Sequence, residues 1–138
     1  MEAAKRHRLL WKIVYYPVRL YMRVRFHYQP KVQPIEGPCV IVSNHVSDLD
    51  SLMLGLTVKN FTYFIASEHV FRNPLPAKLL RWAMDPIPRM KSDSGGDAAL
   101  AAIRRMRRGF SVALFPEGNR TFNGVTADIV ESTAKLAK

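Results

Sequence analysis

The sequence predicts an α/β fold, in which a mixed central sheet is flanked by helices and an N-terminal basic amphipathic helical segment precedes it. Three short apolar segments predict strands, at residues 39–43, 61–66 and 111–115. Segments with helical periodicity alternate with them, at residues 49–58, 74–84 and 93–108. The N-terminal 31 residues hold eight Lys or Arg and one Glu, which is +7 of the chain's formal +10.

Length and composition limit the classes of protein. A chain of 138 residues forms one domain at most. A single cysteine, Cys39, excludes an internal disulfide and indicates a small buried residue in a reducing compartment. The sequence has no uncharged apolar run long enough to span a membrane. Lys12, Arg19 and Arg23 interrupt the N-terminal apolar stretch, so no cleavable signal peptide is expected.

The N-terminal segment, residues 1–31, is expected to be a helix at a membrane interface. On a helix, five cations fall within about 60° of one another, namely Lys5, Arg8, Lys12, Arg19 and Arg23. Leu, Ile, Val, Trp and Tyr occupy much of the remaining surface, as in helices that lie among anionic lipid headgroups. The alternative is a helix that packs on its own domain, and a helix bridging core and bilayer would satisfy both. Pro17 is expected to kink or split it.

The turn-rich residues 29–38 predict a linker into a second unit, residues 32–138. In that unit, the apolar residues of the 74–84 helix, including Leu75, Leu79 and Trp82, are expected to pack inward, with an acyl-chain groove as the alternative. The arginines near the end of the 93–108 helix are expected to offset the helix dipole. A last helix is expected from residue 126 onward.

A histidine follows the first predicted strand, and an aspartate stands five residues further on. On one helix these positions would lie about 140° apart, so His45 must precede the helix if it is to meet Asp50. Imidazole, with an ordinary pKa of about 6.5, can take a proton from a hydroxyl at neutral pH. A carboxylate that accepts the other ring N–H fixes the tautomer and stabilises the imidazolium.

Both residues also have a structural interpretation. Ser47 followed three residues later by Asp50 is a capping-box-like pattern, with Ser47 as N-cap of the helix. A lone histidine near a strand end is more often a structural residue than a base.

A second segment favours the chemical interpretation. About seventy residues after His45 the chain reads Phe-Pro-Glu-Gly-Asn-Arg-Thr, at residues 115–121. Together with Asn44-His45 and Asp50, this segment resembles two motifs of the glycerolipid acyltransferase family, typified by the 1-acylglycerol-3-phosphate acyltransferases. The resemblance covers roughly residues 35–126, and Arg89 stands where the family has the arginine of a further motif.

The resemblance implies a division of roles. His45 would be the catalytic base and Asp50 its orienting carboxylate. The substrate-binding residues would be Asn44, Arg89, Glu117, Gly118 and Arg120. Among these, Arg120 would bind the acceptor phosphate, and Arg89 could bind the other side of the same phosphate. Glu117 would contact the glycerol moiety or orient Arg120, and the structural alternative is a simple ion pair between the two.

The implied activity is transfer of a fatty acyl group from acyl-CoA or acyl carrier protein to the hydroxyl of lysophosphatidic acid. The enzyme would be peripheral, on the cytoplasmic face of a membrane with anionic lipid. No metal or other cofactor is expected, since the histidines do not cluster with cysteines or paired carboxylates. The family continues beyond the last residues here with a further motif, so the chain is expected to hold the N-terminal portion of the domain.

Two other functions are compatible with the sequence. The basic N-terminal segment could associate with nucleic acid, although without a recognition motif such binding would be nonspecific and steeply salt-dependent. The chain could also be a non-catalytic fragment that binds lipid. Liposome flotation compared with RNA or DNA binding at physiological salt separates these functions.

Overall fold

The computed structural model describes residues 2–29, 31, 37–45, 47, 49–58, 60–89 and 96–117. The helices are α1 (Glu2–Phe26), α2 (Asp50–Val58), α3 (Pro74–Ala83) and α4 (Gly96–Arg107), with a 3-10 helix at Glu68–Phe71. The strands are β1 (Val40–Val42), β2 (Thr62–Ser67), β3 (Ile87–Arg89) and β4 (Ser111–Leu114). The predicted helix after residue 126 lies outside the described residues.

The four described strands form one sheet in the order β1-β4-β2-β3, and every pair is parallel. Parallel neighbours require a crossover connection, which α2, α3 and α4 supply between successive strands. The α/β class is therefore confirmed. Within the described residues the sheet is parallel throughout, and no antiparallel pair of the expected mixed sheet lies among them.

The predicted helices and strands occur within a few residues of their expected bounds, whereas β3 was missed. β3 contains Pro88, which cannot donate a ladder hydrogen bond. It is tolerated because β3 is the last strand in the described sheet and Pro88 is exposed. Gly109 ends α4 as predicted, with a φ of 80° that favours glycine.

Helix α1 packs on the sheet unit through one face. Trp11, Tyr15 and Met22 are buried in the same core cluster as residues of α2, β2 and β4. The Tyr15 hydroxyl donates to the carbonyl of Leu56 at 3.1 Å, and satisfies one of the carbonyls that the end of α2 leaves without a helical partner. The Trp11 ring lies so close to α2 that a Cβ added at Gly55 would be 3.0 Å from it.

The opposite face of α1 is apolar and exposed. Five large side chains there are 59–70% exposed, namely Leu9, Ile13, Tyr16, Leu20 and Val24, which we call the outer stripe. At about 100° per residue, these positions lie opposite the buried ones and beside the basic residues. The structure confirms the alternative of a helix packed on its own domain, and the membrane-interface role of the exposed face stays a prediction. No helix within the described residues is both long and apolar enough to cross a membrane.

Helix α1 is continuous through Pro17, so the expected split does not occur. Pro17 is exposed, and water can therefore satisfy the carbonyl that lacks its helical partner.

The expected inward packing of α3 is wrong for its largest residues. Leu75 is 84% exposed, Leu79 64% and Trp82 49%, whereas the small Ala77 is the buried residue of this helix. A short helix that contacts its domain through alanine leaves its bulky residues outside. In α4, the basic last turn is as predicted, and Arg105 in addition pairs with Asp85 and lies over the Tyr63 ring.

A buried histidine joins α1 to the sheet and to α3. His7 is 1% exposed, and its Nε2 lies 3.2 Å from the Trp82 carbonyl while its Nδ1 lies 3.2 Å from the Tyr63 hydroxyl. Nε2 also lies 3.4 Å from the Arg6 Nη2, which can only donate. The carbonyl, which only accepts, is the nearer partner, so we assign the proton to Nε2, and Nδ1 then accepts from Tyr63. Burial lowers the pKa of His7, Arg6 and Arg105 lower it further, and Asp85 opposes them.

We expect the protein to lose stability as His7 becomes protonated. Because the folded pKa of His7 lies below the ordinary 6.5, the unfolded chain takes up the proton first as the pH falls. The stabilisation is therefore complete above pH 6.5 and is lost as the pH falls towards the folded pKa. Chemical denaturation between pH 7.5 and 5 measures this loss in the free energy of unfolding.

The matched control is His7→Gln, whose neutral amide can donate to the Trp82 carbonyl and accept from Tyr63 at every pH. Its stability should depend less steeply on pH than that of the wild type. Equal pH dependence of the two proteins would contradict the assignment.

Candidate active site

The carboxyl ends of the parallel strands meet at one edge of the sheet, which is where α/β proteins bind ligands. β1 and β4 are neighbours there, with Val42 opposite Leu114. The pairing continues one step beyond the strands, since the Ser43 amide donates to the Leu114 carbonyl at 3.3 Å. The segments that follow these two strands contain the residues of both motifs.

His45 lies in the turn between β1 and α2, and α2 begins at Asp50. The His45 Nδ1 lies 3.0 Å from the Asp50 Oδ2. A carboxylate accepts, so Nδ1 donates and Nε2 is left as the basic nitrogen of the neutral ring. The turn thus brings together the two side chains that a continuous helix would have separated.

Asp50 has a second role in the same turn. Its Oδ2 also accepts the Ser47 backbone N–H at 2.7 Å, and the Ser47 hydroxyl oxygen accepts the Leu49 N–H at 3.2 Å. These bonds satisfy amides at the start of α2, as the capping interpretation predicted. One carboxylate oxygen therefore both fixes the turn and orients the imidazole.

The pair is partly exposed, with 22% of the His45 side chain and 19% of the Asp50 side chain accessible. The imidazole can therefore be reached from solvent, although protein covers most of its surface.

An aromatic residue that the sequence did not indicate as a site residue packs against His45. The Phe115 ring, directly after β4, stacks on the imidazole with centroids 4.3 Å apart and planes inclined by 17°. Phe115 belongs to the second motif, but its contact with the first depends on which strands are neighbours. Only the position of Phe115 in that motif could have suggested it from sequence.

The other predicted site residues have different placements. Glu117 is buried, 4% exposed, in the turn after β4. Asn44 is exposed beside His45, and its carbonyl accepts a hydrogen bond from the Ser43 hydroxyl. Arg89 ends β3, two strands away from β4 and so about 10 Å across the sheet. Gly118 and Arg120 lie outside the described residues.

Within the described part of the chain, no three His, Cys, Asp or Glu side chains cluster as metal ligands would. The expectation that the reaction needs no metal or other cofactor stays a prediction.

The structure thus defines an α/β protein with a parallel sheet and, at the carboxyl edge of that sheet, a histidine hydrogen-bonded to a carboxylate. The family model described as Acyltransferase matches residues 23–138 of this chain. That match covers more than half of the sequence, and the chain belongs to this acyltransferase family.

Three curated relatives are similar to this chain in sequence. The chain is 33% identical to 1-acyl-sn-glycerol-3-phosphate acyltransferase BAT2, chloroplastic, of Brassica napus, over 70% of this chain and 30% of the relative. It is 35% identical to the LPAT1 enzyme of Arabidopsis thaliana, also named chloroplastic, over 64% of this chain and 25% of the relative. It is 28% identical to the 1-acyl-sn-glycerol-3-phosphate acyltransferase of Borreliella burgdorferi, over 75% of this chain and 42% of the relative. The chain thus spans less than half the length of each.

The fold is also similar to that of a solved structure. The 1-acyl-sn-glycerophosphate (LPA) acyltransferase PlsC from Thermotoga maritima superposes with a TM-score of 0.65 at 20% sequence identity. The alignment covers 92% of this chain and 54% of that one. The similarity supports the α/β fold of the chain.

We expect Asp50→Ala to change the tautomer of His45 and weaken the start of α2. Without the carboxylate, Nδ1–H loses its acceptor, so the fraction of neutral ring protonated on Nδ1 should fall. Loss of the bond to the Ser47 amide should reduce the free energy of unfolding by about 1 kcal/mol. Nitrogen-15 NMR of the labelled histidine side chains and chemical denaturation measure the two effects.

Ser51→Ala, in the same turn of α2, serves as the matched control because the pair does not include it. An unchanged tautomer distribution in Asp50→Ala would show that Asp50 does not orient the ring.

Proposed function

We propose that the protein is a membrane-surface O-acyltransferase that transfers a fatty acyl group from acyl-CoA or acyl carrier protein to the hydroxyl of lysophosphatidic acid. The observation that carries this proposal is the 3.0 Å contact between His45 and Asp50 at the carboxyl edge of the sheet. The names of the curated relatives, all 1-acyl-sn-glycerol-3-phosphate acyltransferases, support this choice of acceptor.

In the proposed reaction, His45 Nε2 takes the proton of the acceptor hydroxyl as its oxygen attacks the thioester carbonyl. The new C–O bond forms, and collapse of the tetrahedral intermediate breaks the C–S bond. The imidazolium, stabilised by Asp50, returns the proton to the leaving thiolate. The histidine ends in its starting state, and no covalent acyl-enzyme is required.

The acceptor phosphate is assigned to Arg120, with Arg89 reaching from the end of β3. A guanidinium group binds phosphate as a bidentate donor, which favours arginine for this role. Glu117 is assigned to the glycerol moiety or to the orientation of Arg120, and Asn44 and Gly118 to the acceptor. Burial of Glu117 supports a positioning role, because a buried carboxylate requires polar or charged partners.

The outer stripe and the basic residues of α1 are proposed to hold the enzyme on the cytoplasmic face of a membrane. Apolar side chains would enter the interfacial region while Lys and Arg bind anionic headgroups. The structure supports this role through the exposure of the stripe on a helix whose opposite face is fixed in the core.

Replacing the proposed base should abolish most of the turnover. Loss of a general base typically costs about 10²–10⁴-fold in rate, so kcat of His45→Ala should fall by at least 10²-fold while the acceptor still binds. The measurement is thiol release from acyl-CoA in the presence of lysophosphatidate-containing vesicles. Calorimetry with lysophosphatidate reports binding separately.

His27→Asn provides the control, since His27 is exposed beyond the end of α1 and asparagine tolerates its φ of 54°. Near-wild-type turnover by His45→Ala would rule out His45 as the general base. Lysophosphatidate binding with no thiol release by the wild type would instead support the lipid-binding alternative.

Removing apolar side chains from the outer stripe should weaken membrane binding without unfolding the protein. Leu9 and Leu20 are 59% and 63% exposed, so Leu9→Ser and Leu20→Ser leave the core intact. Each should lower partitioning into anionic vesicles by about tenfold, given about 1.5 kcal/mol or more for a buried leucine. Flotation at physiological salt measures the bound fraction.

Leu100→Ser is the matched control, because Leu100 is 53% exposed on α4 rather than α1. An equal loss of vesicle binding in all three variants would argue against the outer stripe as the membrane-binding surface. Tighter binding to RNA than to vesicles at the same salt concentration would favour the nucleic-acid alternative.

A further inference from the structure

The contact between Phe115 and His45 is a face-to-face stack, with ring centroids 4.3 Å apart and 17° between the planes. The other aromatic pairs of the described residues are tilted or edge-on. This difference singles out the ring of the proposed base.

The stack supplies a constraint that the hydrogen bond to Asp50 does not. The bond fixes the position of Nδ1, but the ring can still swing about the line from Nδ1 to the Asp50 Oδ2. Such a swing moves Nε2, the nitrogen that must meet the acceptor hydroxyl. A flat aromatic surface against the imidazole fixes the plane of the ring and hence the direction of Nε2.

The stack also has an electrostatic consequence. The face of an aromatic ring carries partial negative charge and attracts a cation within about 6 Å of its centroid. His45 is neutral before it takes the hydroxyl proton and cationic afterwards, so the Phe115 face favours the state formed during the reaction. An aliphatic side chain of similar size would fill the space without this attraction.

We propose that Phe115 is a positioning residue for the proposed base: it fixes the ring plane of His45 and stabilises the imidazolium formed during acyl transfer. This inference rests on the proposed function. Its structural basis is the pairing of β1 with β4, which places the turn after Val42 against the residue after Leu114. The second motif therefore contributes to the base as well as to the substrate-binding turn.

Kinetics of Phe115→Leu and Phe115→Tyr test the proposal. Leucine keeps an apolar side chain but removes the aromatic face, and kcat should fall on the order of tenfold, the scale of a partly desolvated cation–π contact. The KM for lysophosphatidate should change little, because Phe115 is not assigned to the acceptor. Phe115→Tyr retains the face and should restore kcat to within about twofold of the wild type.

Phe110→Leu is the matched control, since Phe110 is a core ring beside the opposite end of β4. It should lower thermal stability at least as much as Phe115→Leu while leaving kcat unchanged. Wild-type kcat in Phe115→Leu, or failure of tyrosine to restore it, would overturn the proposal.

Proton NMR of the His45 ring provides a readout that does not need turnover. The ring current of a stacked phenyl group shifts the imidazole protons upfield. This shift should be present in the wild type, lost in Phe115→Leu, and retained in Phe115→Tyr and Phe110→Leu. Absence of the shift from the wild type would overturn the inference. An inactive wild type that shows the shift would contradict the proposed function alone and leave the stack established.

Discussion

The parallel pairing of β1 with β4 is the constraint on which the site depends. These strands are far apart in the sequence, and β4 enters the sheet between β1 and β2 after all three crossovers. Their register aligns Val42 with Leu114, so the turns that follow them start side by side. A shift of one residue would send alternate side chains to opposite faces and separate the histidine from Phe115.

Asp50 connects local stability with chemistry. Its Oδ2 accepts from the Ser47 amide, which caps α2, and from the His45 ring, which it orients. The capping bond and the proposed orienting role of this aspartate therefore depend on the same oxygen atom. The Ser47 amide already fixes the Asp50 side chain, so holding the imidazole costs little additional conformational entropy. The pair is preorganised in this sense.

Helix α1 combines two kinds of surface that are usually found on different helices. One face contributes Trp11, Tyr15 and Met22 to the core, and buried His7 adds hydrogen bonds to β2 and α3. The opposite face is the exposed outer stripe. Because the helix is fixed to the domain, a membrane bound by the stripe would also set the orientation of the site.

The sequence was sufficient to predict the α/β class, most of the helices and strands, and the two motifs, because periodicity and turn residues are local properties. It also required His45 to precede the helix, since two positions five residues apart on one helix do not share a face. It missed β3, whose Pro88 is tolerated at the edge of the described sheet, and it misjudged α3, where Leu75 and Leu79 are exposed. Strand order and register decided that Phe115 stacks on His45 and that Arg89 lies two strands from β4. These are contacts between distant segments, and only the tertiary structure specifies which distant segments meet.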